Sequence, residues 1–299
     1  MDTLWIPITL AAATFQVLRT SRQHQLRSVL STTAAGFVRY LYATPLVIGM
    51  AVLIFGPLGH QLPAAPRRFW LIITAAGLTQ IFGTVALLTA FKLRDFSIGT
   101  VYSKSEVLLV GVVSAFGLGE PLTAAGWAGA GIVTVGVAWL ASRGSIVALL
   151  RRAGDRAALA GIAAAGSFAV AAVGIRGAAL SLSTAPAFDR ALVTLTVMLT
   201  IQTIGNGVYF AITDRREITA ALGAWRDAIP VGVLSLLGSI GWAWAVTLEN
   251  AAKVRTLGQV ELVIVFLIGK FWLHERHNTS EYLASALVLI GVTVVTMFG

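Results

Sequence analysis

Cysteine is absent from the 299-residue chain, and charged side chains make up only 12% of it. The lack of cysteine excludes disulfide bonds, thiol catalysis and cysteine-ligated zinc or iron–sulfur sites. Soluble domains carry roughly 25% charged residues, so the shortage of charge excludes an ordinary water-soluble core. With a mean hydropathy of +0.83, the chain is predicted to have lipid as its solvent.

The charge that is present is mostly positive, with a formal net charge of +9. Most basic residues fall between apolar stretches, which is typical of topology signals and lipid headgroup contacts. We therefore predict a lipid bilayer, and no nucleic acid, as a partner of the chain. The segment Met1–Leu4 holds no basic residue, which predicts a retained first helix and not a cleaved signal peptide.

Apolar stretches of at least about 18 residues recur along the chain, each long enough to cross a hydrocarbon layer of about 30 Å. Turn residues or charges separate them. The pattern predicts an all-α integral membrane protein with ten transmembrane helices. The predicted helices cover residues 4–21, 32–55, 69–91, 97–117, 123–141, 157–176, 186–212, 228–248, 252–273 and 280–298.

An internal repeat divides the chain into two halves. A shift of 155 positions superposes Trp70 on Trp225 and Glu106 on Glu261 without a gap. Because each half holds five helices, an odd number, the second half must enter the membrane from the opposite side. Inverted repeats are typical of transporters with a substrate site between the halves. We predict repeats at 1–142 and 157–299 around a central cavity, joined by a linker at 143–156.

Two motifs recur at matching places in the halves. An arginine, Arg39 or Arg190, stands early in the second helix of each half. The turn Gly119–Thr123 precedes the last helix of the first half, and its counterpart in the second half is His274–Arg276. In this order and spacing the chain resembles the drug/metabolite transporter superfamily, specifically its EamA-type ten-helix carriers. The resemblance implies export of amino acids or other small metabolites, often driven by the proton gradient. The charged segment Tyr102–Glu106 departs from a generic member, so the resemblance leaves the substrate open.

Glu106 and Glu261 are predicted to lie about eight residues inside the fourth and ninth helices, close to the bilayer midplane. A buried carboxylate there is unfavourable unless it is paired, hydrated or protonated. Both side chains are therefore expected to face the cavity. One hypothesis makes them contacts for a substrate amine or proton carriers, and the other places them in structural salt bridges to Lys104, Arg39 or Arg190.

Lys104 does not share a helix face with Glu106, so it is expected to pair with another helix or to bind a substrate carboxylate. Its repeat equivalent is Gln259, and an asymmetric polar site favours a zwitterion. Arg39 and Arg190 are expected either to reach the headgroups or to gate the cavity. The predicted substrate-binding or proton-coupling residues are Glu106, Glu261, Lys104, Tyr102, Ser103, Gln259, Gln80 and Trp242, with Arg39 and Arg190 as gating candidates.

Catalytic and cofactor motifs are missing from the sequence. No phosphate-binding loop or nucleophile motif appears, and His274 and His277 lack further ligands for a metal. We predict no enzyme activity, cofactor or metal site, but a secondary transporter in the inner membrane, driven by an ion or substrate gradient, as a monomer or homodimer. The alternatives are a lipid scramblase or lipid-modifying enzyme, and a duplicated scaffold without a transport role.

The loop charges predict an orientation. The loops on one side hold 14 basic residues and those on the other side hold 5, including Arg176 and Arg255. The positive-inside rule then places both termini outside the cytoplasm, whereas the resemblance implies both termini inside. The glutamates at the ends of the fourth and ninth helices, Glu120 and Glu275, are expected to cap the helices that follow.

Overall fold

A computed structural model describes residues 3–93, 102–141, 154–271 and 279–299, and all regular secondary structure in them is helical. A short 3-10 helix, Leu26–Ser28, follows the first α-helix. The α-helices are α1 (Trp5–Gln25), α2 (Thr32–Phe55), α3 (Arg67–Leu93), α4 (Glu106–Leu118), α5 (Ala124–Ala141), α6 (Arg156–Ser181), α7 (Ala187–Thr213), α8 (Arg215–Gly223), α9 (Trp225–Leu248), α10 (Ala251–Gly258), α11 (Val260–Phe271) and α12 (Thr279–Phe298).

Six of the described helices, α2, α3, α6, α7, α9 and α12, are long and apolar enough to cross a membrane. Two shorter apolar helices are α4 and α5. The bounds agree with the sequence-based spans where the apolar stretch is uninterrupted: α2 covers the predicted 32–55, and α9 ends at the predicted 248. The chain is therefore an all-α, multi-pass membrane protein.

Helix ends are capped by side chains of the expected types. Ser31 Oγ accepts a hydrogen bond from the amide of Ala34 at the start of α2, and Asn250 Oδ1 accepts one from Ala252 at the start of α10. At α5 the Thr123 Oγ1 atom accepts from the amide of Gly126. That Glu120 also favours this helix end stays a prediction, and Glu275 lies outside the described residues. A threonine hydroxyl at the N-cap position reaches the free amides directly.

The described helices form two compact units that each draw on both halves of the sequence. The first unit comprises Met1–Leu78 and Ile175–Leu248, and the second comprises Thr79–Gly174 and Glu249–Gly299. Two of the three boundaries fall inside α3 and α6, and the third falls after the end of α9. The compact units are therefore not the two sequence repeats.

Within the first unit, α8 is a helix where the sequence analysis expected a loop. Ser31 Oγ donates to the Glu217 carboxylate, and Tyr42 Oη donates to the Ala221 carbonyl at 3.0 Å. Ala221 is fully buried, in a cluster that also holds Leu30 and Phe37. The polar segment Arg215–Gly223 is helical because α2 and its neighbours cover one of its faces.

Glycines related by the 155-position shift make matching helix contacts. A Cβ on Gly83 of α3 would lie 3.0 Å from the Ser167 and Phe168 side chains of α6. A Cβ on Gly238 of α9 would lie 3.6–3.7 Å from atoms of Ala12, Phe15 and Gln16 in α1. Ser167 and Ala12 are themselves 155 positions apart, so the repeat extends to three-dimensional contacts.

Helices at equivalent places in the two halves run antiparallel. The start of α2 contacts Glu217, just beyond the end of α7, while Thr44 and Thr203 Oγ1 atoms lie 2.7 Å apart further along. After the end of α2, His60 Nδ1 lies 2.9 Å from Asp189 Oδ2 at the start of α7. An inverted repeat requires this opposite direction.

The fifth and tenth predicted helices, α5 and α12, show the same relation. Thr123 at the start of α5 donates to the Phe298 carbonyl at the end of α12. A Cβ on Gly129 would lie 2.9 Å from the Gly291 carbonyl oxygen, and one on Gly291 would lie 2.7 Å from the Gly129 oxygen. The two backbones therefore touch, as is common where small residues line membrane helix contacts.

Candidate functional site

Glu106 and Glu261, the two glutamates related by the repeat, stand at breaks in the helical chain. Tyr102 and Ser103 are helical, Lys104 and Ser105 form a turn, and α4 begins at Glu106. In the other half, α10 ends at Gly258 and α11 begins at Val260, with Gln259 between them. The two breaks have the same register, because the 155-position shift carries Lys104 onto Gln259.

The expectation of uninterrupted helices over 97–117 and 252–273 is therefore wrong within the described residues; residues 97–101 and 272–273 lie outside them. Glu106 is the first residue of α4, and Glu261 is the second residue of α11. The chain turns tightly at both breaks: the Leu108 amide donates to the Ser105 carbonyl at 3.1 Å, and the Leu262 amide donates to the Gln259 carbonyl at 3.0 Å. These amides are paired with the backbone, so a buried acid here needs a cation to balance its charge.

Two ion pairs connect these breaks in the second unit. Lys104 Nζ donates to Glu261 Oε1 at 2.6 Å. Arg255 Nε donates to Glu106 Oε1 at 2.8 Å, and Arg255 Nη2 donates to the same oxygen. Lys104, at the first break, pairs with the glutamate at the second, and Arg255, just before the second break, pairs with the glutamate at the first. Each pair therefore connects the two sequence halves.

The ion pairs are shielded from solvent. The Glu106 side chain is 10% exposed and that of Glu261 is 12% exposed, while Lys104 and Arg255 are 21% and 23% exposed. Charge pairs at this degree of burial are stabilising only while both partners remain, because a lone buried charge is strongly unfavourable. The salt bridge of Glu261 to Lys104 was one of the two sequence-based hypotheses. The partner of Glu106 is none of the three cations considered for it.

Arg255 is the site residue that the sequence analysis missed. It lies inside α10, one turn before Gln259; the predicted helix 252–273 already covers it, although the count of loop charges includes it. Arg176, which ends the predicted helix 157–176 and is also included in that count, lies in α6 and donates from Nη1 to the Val246 carbonyl at 2.7 Å. An available signal was the spacing of Arg255 and Gln259 at i and i+4, which puts both on one helix face.

Three predicted polar residues surround the ion pairs. Ser103 is 9% exposed and Gln259 is 6% exposed. Gln259 Nε2 donates to the Arg255 carbonyl at 3.4 Å, but its Oε1 is buried without a hydrogen-bond partner among the described residues. The Tyr102 carbonyl accepts from Ser105 Oγ at 2.7 Å, and the Tyr102 side chain packs against Ala157 and Ala158 of α6. The structure thus brings Tyr102, Ser103, Lys104, Glu106, Gln259 and Glu261 into one unit.

The remaining candidates lie elsewhere. Gln80 belongs to the second unit, where its carbonyl accepts from Thr84 Oγ1 at 2.9 Å. Trp242 belongs to the first unit, where its Nε1 donates to Gln16 Oε1 at 3.0 Å. Their part in substrate binding remains a prediction.

Arg39 and Arg190 lie near opposite ends of the first unit, because each is close to the start of one of the antiparallel helices α2 and α7. The Arg39 guanidinium carbon lies 4.7 Å from the centroid of the Tyr40 ring. Arg190 Nε is buried without a hydrogen-bond partner in the part of the chain that the structure describes. Neither arginine pairs with a glutamate there, so gating by such a pair remains a prediction.

Comparison with known protein families matches the two sequence halves separately. The family described as "EamA-like transporter family" matches residues 3–142 and again residues 155–297. A solved structure described only as "Crystal structure of protein" aligns with a TM-score of 0.76 at 17% identity, over 99% of this chain and 98% of the other. Likeness at that identity shows a shared fold. No curated protein sequence matches.

Proposed function

The chain belongs to the EamA-like transporter family, whose members are secondary transporters and not enzymes, and from this premise we propose what it carries and how. The protein exports small metabolites, amino acids or related zwitterions, across the cell inner membrane by alternating access. Glu106 and Glu261 couple this movement to protons. Ten transmembrane helices form two inverted five-helix repeats around a central cavity.

The matching helix breaks carry the proposal. In transporters built from inverted repeats, substrate and coupling-ion sites form where membrane helices are discontinuous near the midplane. Here the breaks occur at equivalent positions and hold four charged side chains in two ion pairs. The antiparallel course of α2 with α7 and of α5 with α12 supports the inverted arrangement.

The ion pairs can work as a proton-sensitive contact. A proton on either glutamate removes the charge that holds Arg255 or Lys104, so the link between the halves weakens when a glutamate is protonated. A substrate amine competes with the proton and the cation for the same carboxylate. Protons and substrate then move in exchange, with no separate binding site for each.

Proteoliposomes containing the full-length chain test the proposal. Counterflow is screened over amino acids, sugars, nucleobases and organic cations, with labelled lipid in a parallel assay. We expect solute flux that depends on a pH gradient, and its loss in Glu106→Gln and Glu261→Gln. Asp227→Asn, at an exposed position in the first turn of α9, is the control that should transport normally. Normal rate and pH dependence in both glutamine variants would refute the coupling role, and flux of lipid alone would favour a scramblase.

Cysteine labelling tests the membrane arrangement. Arg94→Cys and Glu249→Cys occupy repeat-equivalent positions, so an inverted repeat exposes them on opposite sides, and labelling from the same side would exclude it.

The loop charges place both termini outside the cytoplasm. A C-terminal reporter that is active solely in the cytoplasm should stay inactive, and an active one would reverse the orientation.

A further inference from the structure

Helix α10 carries Arg255 and is enclosed within the second unit. Six of its eight residues are buried, and the two exceptions are Lys253 and Arg255. The helix packs against α4, α5 and α12. Arg255 meets Glu106 at the start of α4, so the reach of its guanidinium to the carboxylate depends on where α10 lies along α4.

Asn250 joins the start of α10 to the other end of α4. The residue is 8% exposed, and its side chain makes two hydrogen bonds. Its Oδ1 accepts from the Ala252 amide at 2.7 Å, and its Nδ2 donates to the Glu120 carbonyl, just beyond the end of α4, at 3.0 Å. The segment 250–255 therefore contacts both ends of α4, through Asn250 at the C-terminal end and Arg255 at the N-terminal end.

Helix capping alone does not account for an asparagine at this position. Aspartate caps helices equally well but has no N–H to donate, and the 155-position shift carries Asn250 onto Asp95. The same shift carries Arg255 onto the uncharged Thr100, and both equivalents lie outside the described residues. The amide donor and the cation thus depart from the repeat together, which links the two residues in function.

We propose that Asn250 is a positioning residue for the Arg255–Glu106 pair. Its Nδ2 donor anchors α10 at the end of α4, and this anchor fixes the place from which Arg255 reaches Glu106. Without the donor α10 shifts along α4, and the guanidinium moves away from Glu106 while the capped helix remains. The effect on transport rests on the proposed function, whereas the anchoring itself can be measured without a substrate.

A double-variant comparison of thermal unfolding tests the anchoring in the full-length protein in nanodiscs. Asn250→Ser keeps a capping oxygen but is too short to reach the Glu120 carbonyl. We expect it to lower the midpoint by roughly 3–6 °C in the wild type, and by half of that or less in Glu106→Gln/Arg255→Gln, which lacks the pair. Equal losses in the two backgrounds would overturn the proposal. Asn250→Asp keeps the size and the cap and carries the same comparison if Asn250→Ser does not fold.

Thr123 supplies the matched control, because it makes the same two kinds of contact elsewhere in the second unit. Its Oγ1 accepts from the Gly126 amide at 3.0 Å and donates to the Phe298 carbonyl. Thr123→Val should lower the midpoint equally in both backgrounds, since it touches neither member of the Arg255–Glu106 pair. A loss for Thr123→Val that also depends on the background would count against a role special to Asn250.

The pH profile of transport is the readout that a purely structural role of Asn250 would not move. Counterflow of a labelled mixture of the twenty common amino acids is measured in proteoliposomes between pH 5 and 9. We expect the profile of Asn250→Ser to shift to higher pH by about half a unit or more, because a proton competes with Arg255 for Glu106 and a displaced Arg255 competes less well. Thr123→Val should keep the wild-type profile. An unchanged profile in Asn250→Ser would overturn the positioning role.

The two measurements separate this inference from the function that it rests on. If the wild type shows counterflow and the unfolding losses are equal in both backgrounds, the positioning role is wrong and transport stands. If the wild type moves no solute but the unfolding loss depends on the pair, the anchoring stands and the proposed function is wrong.

Discussion

In both ion pairs of the second unit the anion is a glutamate, but the cation is a lysine in one pair and an arginine in the other. Glu106 and Glu261 occupy equivalent positions, but Lys104 lies at its own break whereas Arg255 lies one turn before the other break. Arg255 donates twice to one oxygen, while Lys104 donates once. Arginine keeps its charge at any physiological pH and lysine is a mobile point charge. The comparison indicates a fixed pair, Arg255–Glu106, and an exchangeable pair, Lys104–Glu261.

The largest expected effect comes from breaking the fixed pair. Arg255→Leu leaves Glu106 buried without its cation, so we expect a loss of about 3–5 kcal/mol of stability, measured by thermal unfolding in nanodiscs. The double variant Glu106→Gln/Arg255→Gln removes both charges and should lose much less. Equal losses in the single and double variants would mean that the charge pair itself is unimportant.

Breaking the exchangeable pair should have a smaller effect. Lys104→Met is expected to lower stability by about 1–3 kcal/mol, because it removes one hydrogen bond to a glutamate where Arg255→Leu removes two. The matched control is Lys253→Met, whose Nζ lies 3.9 Å from Glu249 Oε1, a weak pair whose loss should cost less than about 1 kcal/mol. If Lys104→Met proves as damaging as Arg255→Leu, the division into fixed and exchangeable pairs is wrong.

The smallest net effect is expected from making the two breaks alike. Arg255→Gln/Gln259→Lys moves the cation to the position equivalent to Lys104, within reach of Glu106 if the repeat symmetry holds. This double variant should recover at least about half of the stability lost in Arg255→Gln alone, judged by the same unfolding assay. No recovery would show that the symmetry of the breaks does not extend to side-chain reach.

Helix positions were predictable because the membrane sets a minimum apolar length, and α2 and α9 end where the apolar stretch ends. The two helix breaks were not predictable from the sequence. Neither Lys104–Ser105 nor Gln259 is marked by a proline, and the charged residues near each break pair with the other half of the chain. The same holds for α8, which is helical through contacts with α2. Glu106 and Glu261 were identified from the repeat, and Lys104 was among the cations proposed to pair with them. The pairing of Arg255 with Glu106 required the fold, because it joins residues that are 149 positions apart.

The interleaving of the halves has a consequence for how the chain is made. The second unit combines Thr79–Gly174 with Glu249–Gly299, so it is incomplete until the segment that begins at Glu249 has been made. Arg255 follows Glu106 by 149 positions, which corresponds to about 7–30 s of elongation. Throughout that interval Glu106 has no Arg255 to neutralise it. The newly inserted first half must therefore keep this acid in contact with water or with another polar group until α10 arrives.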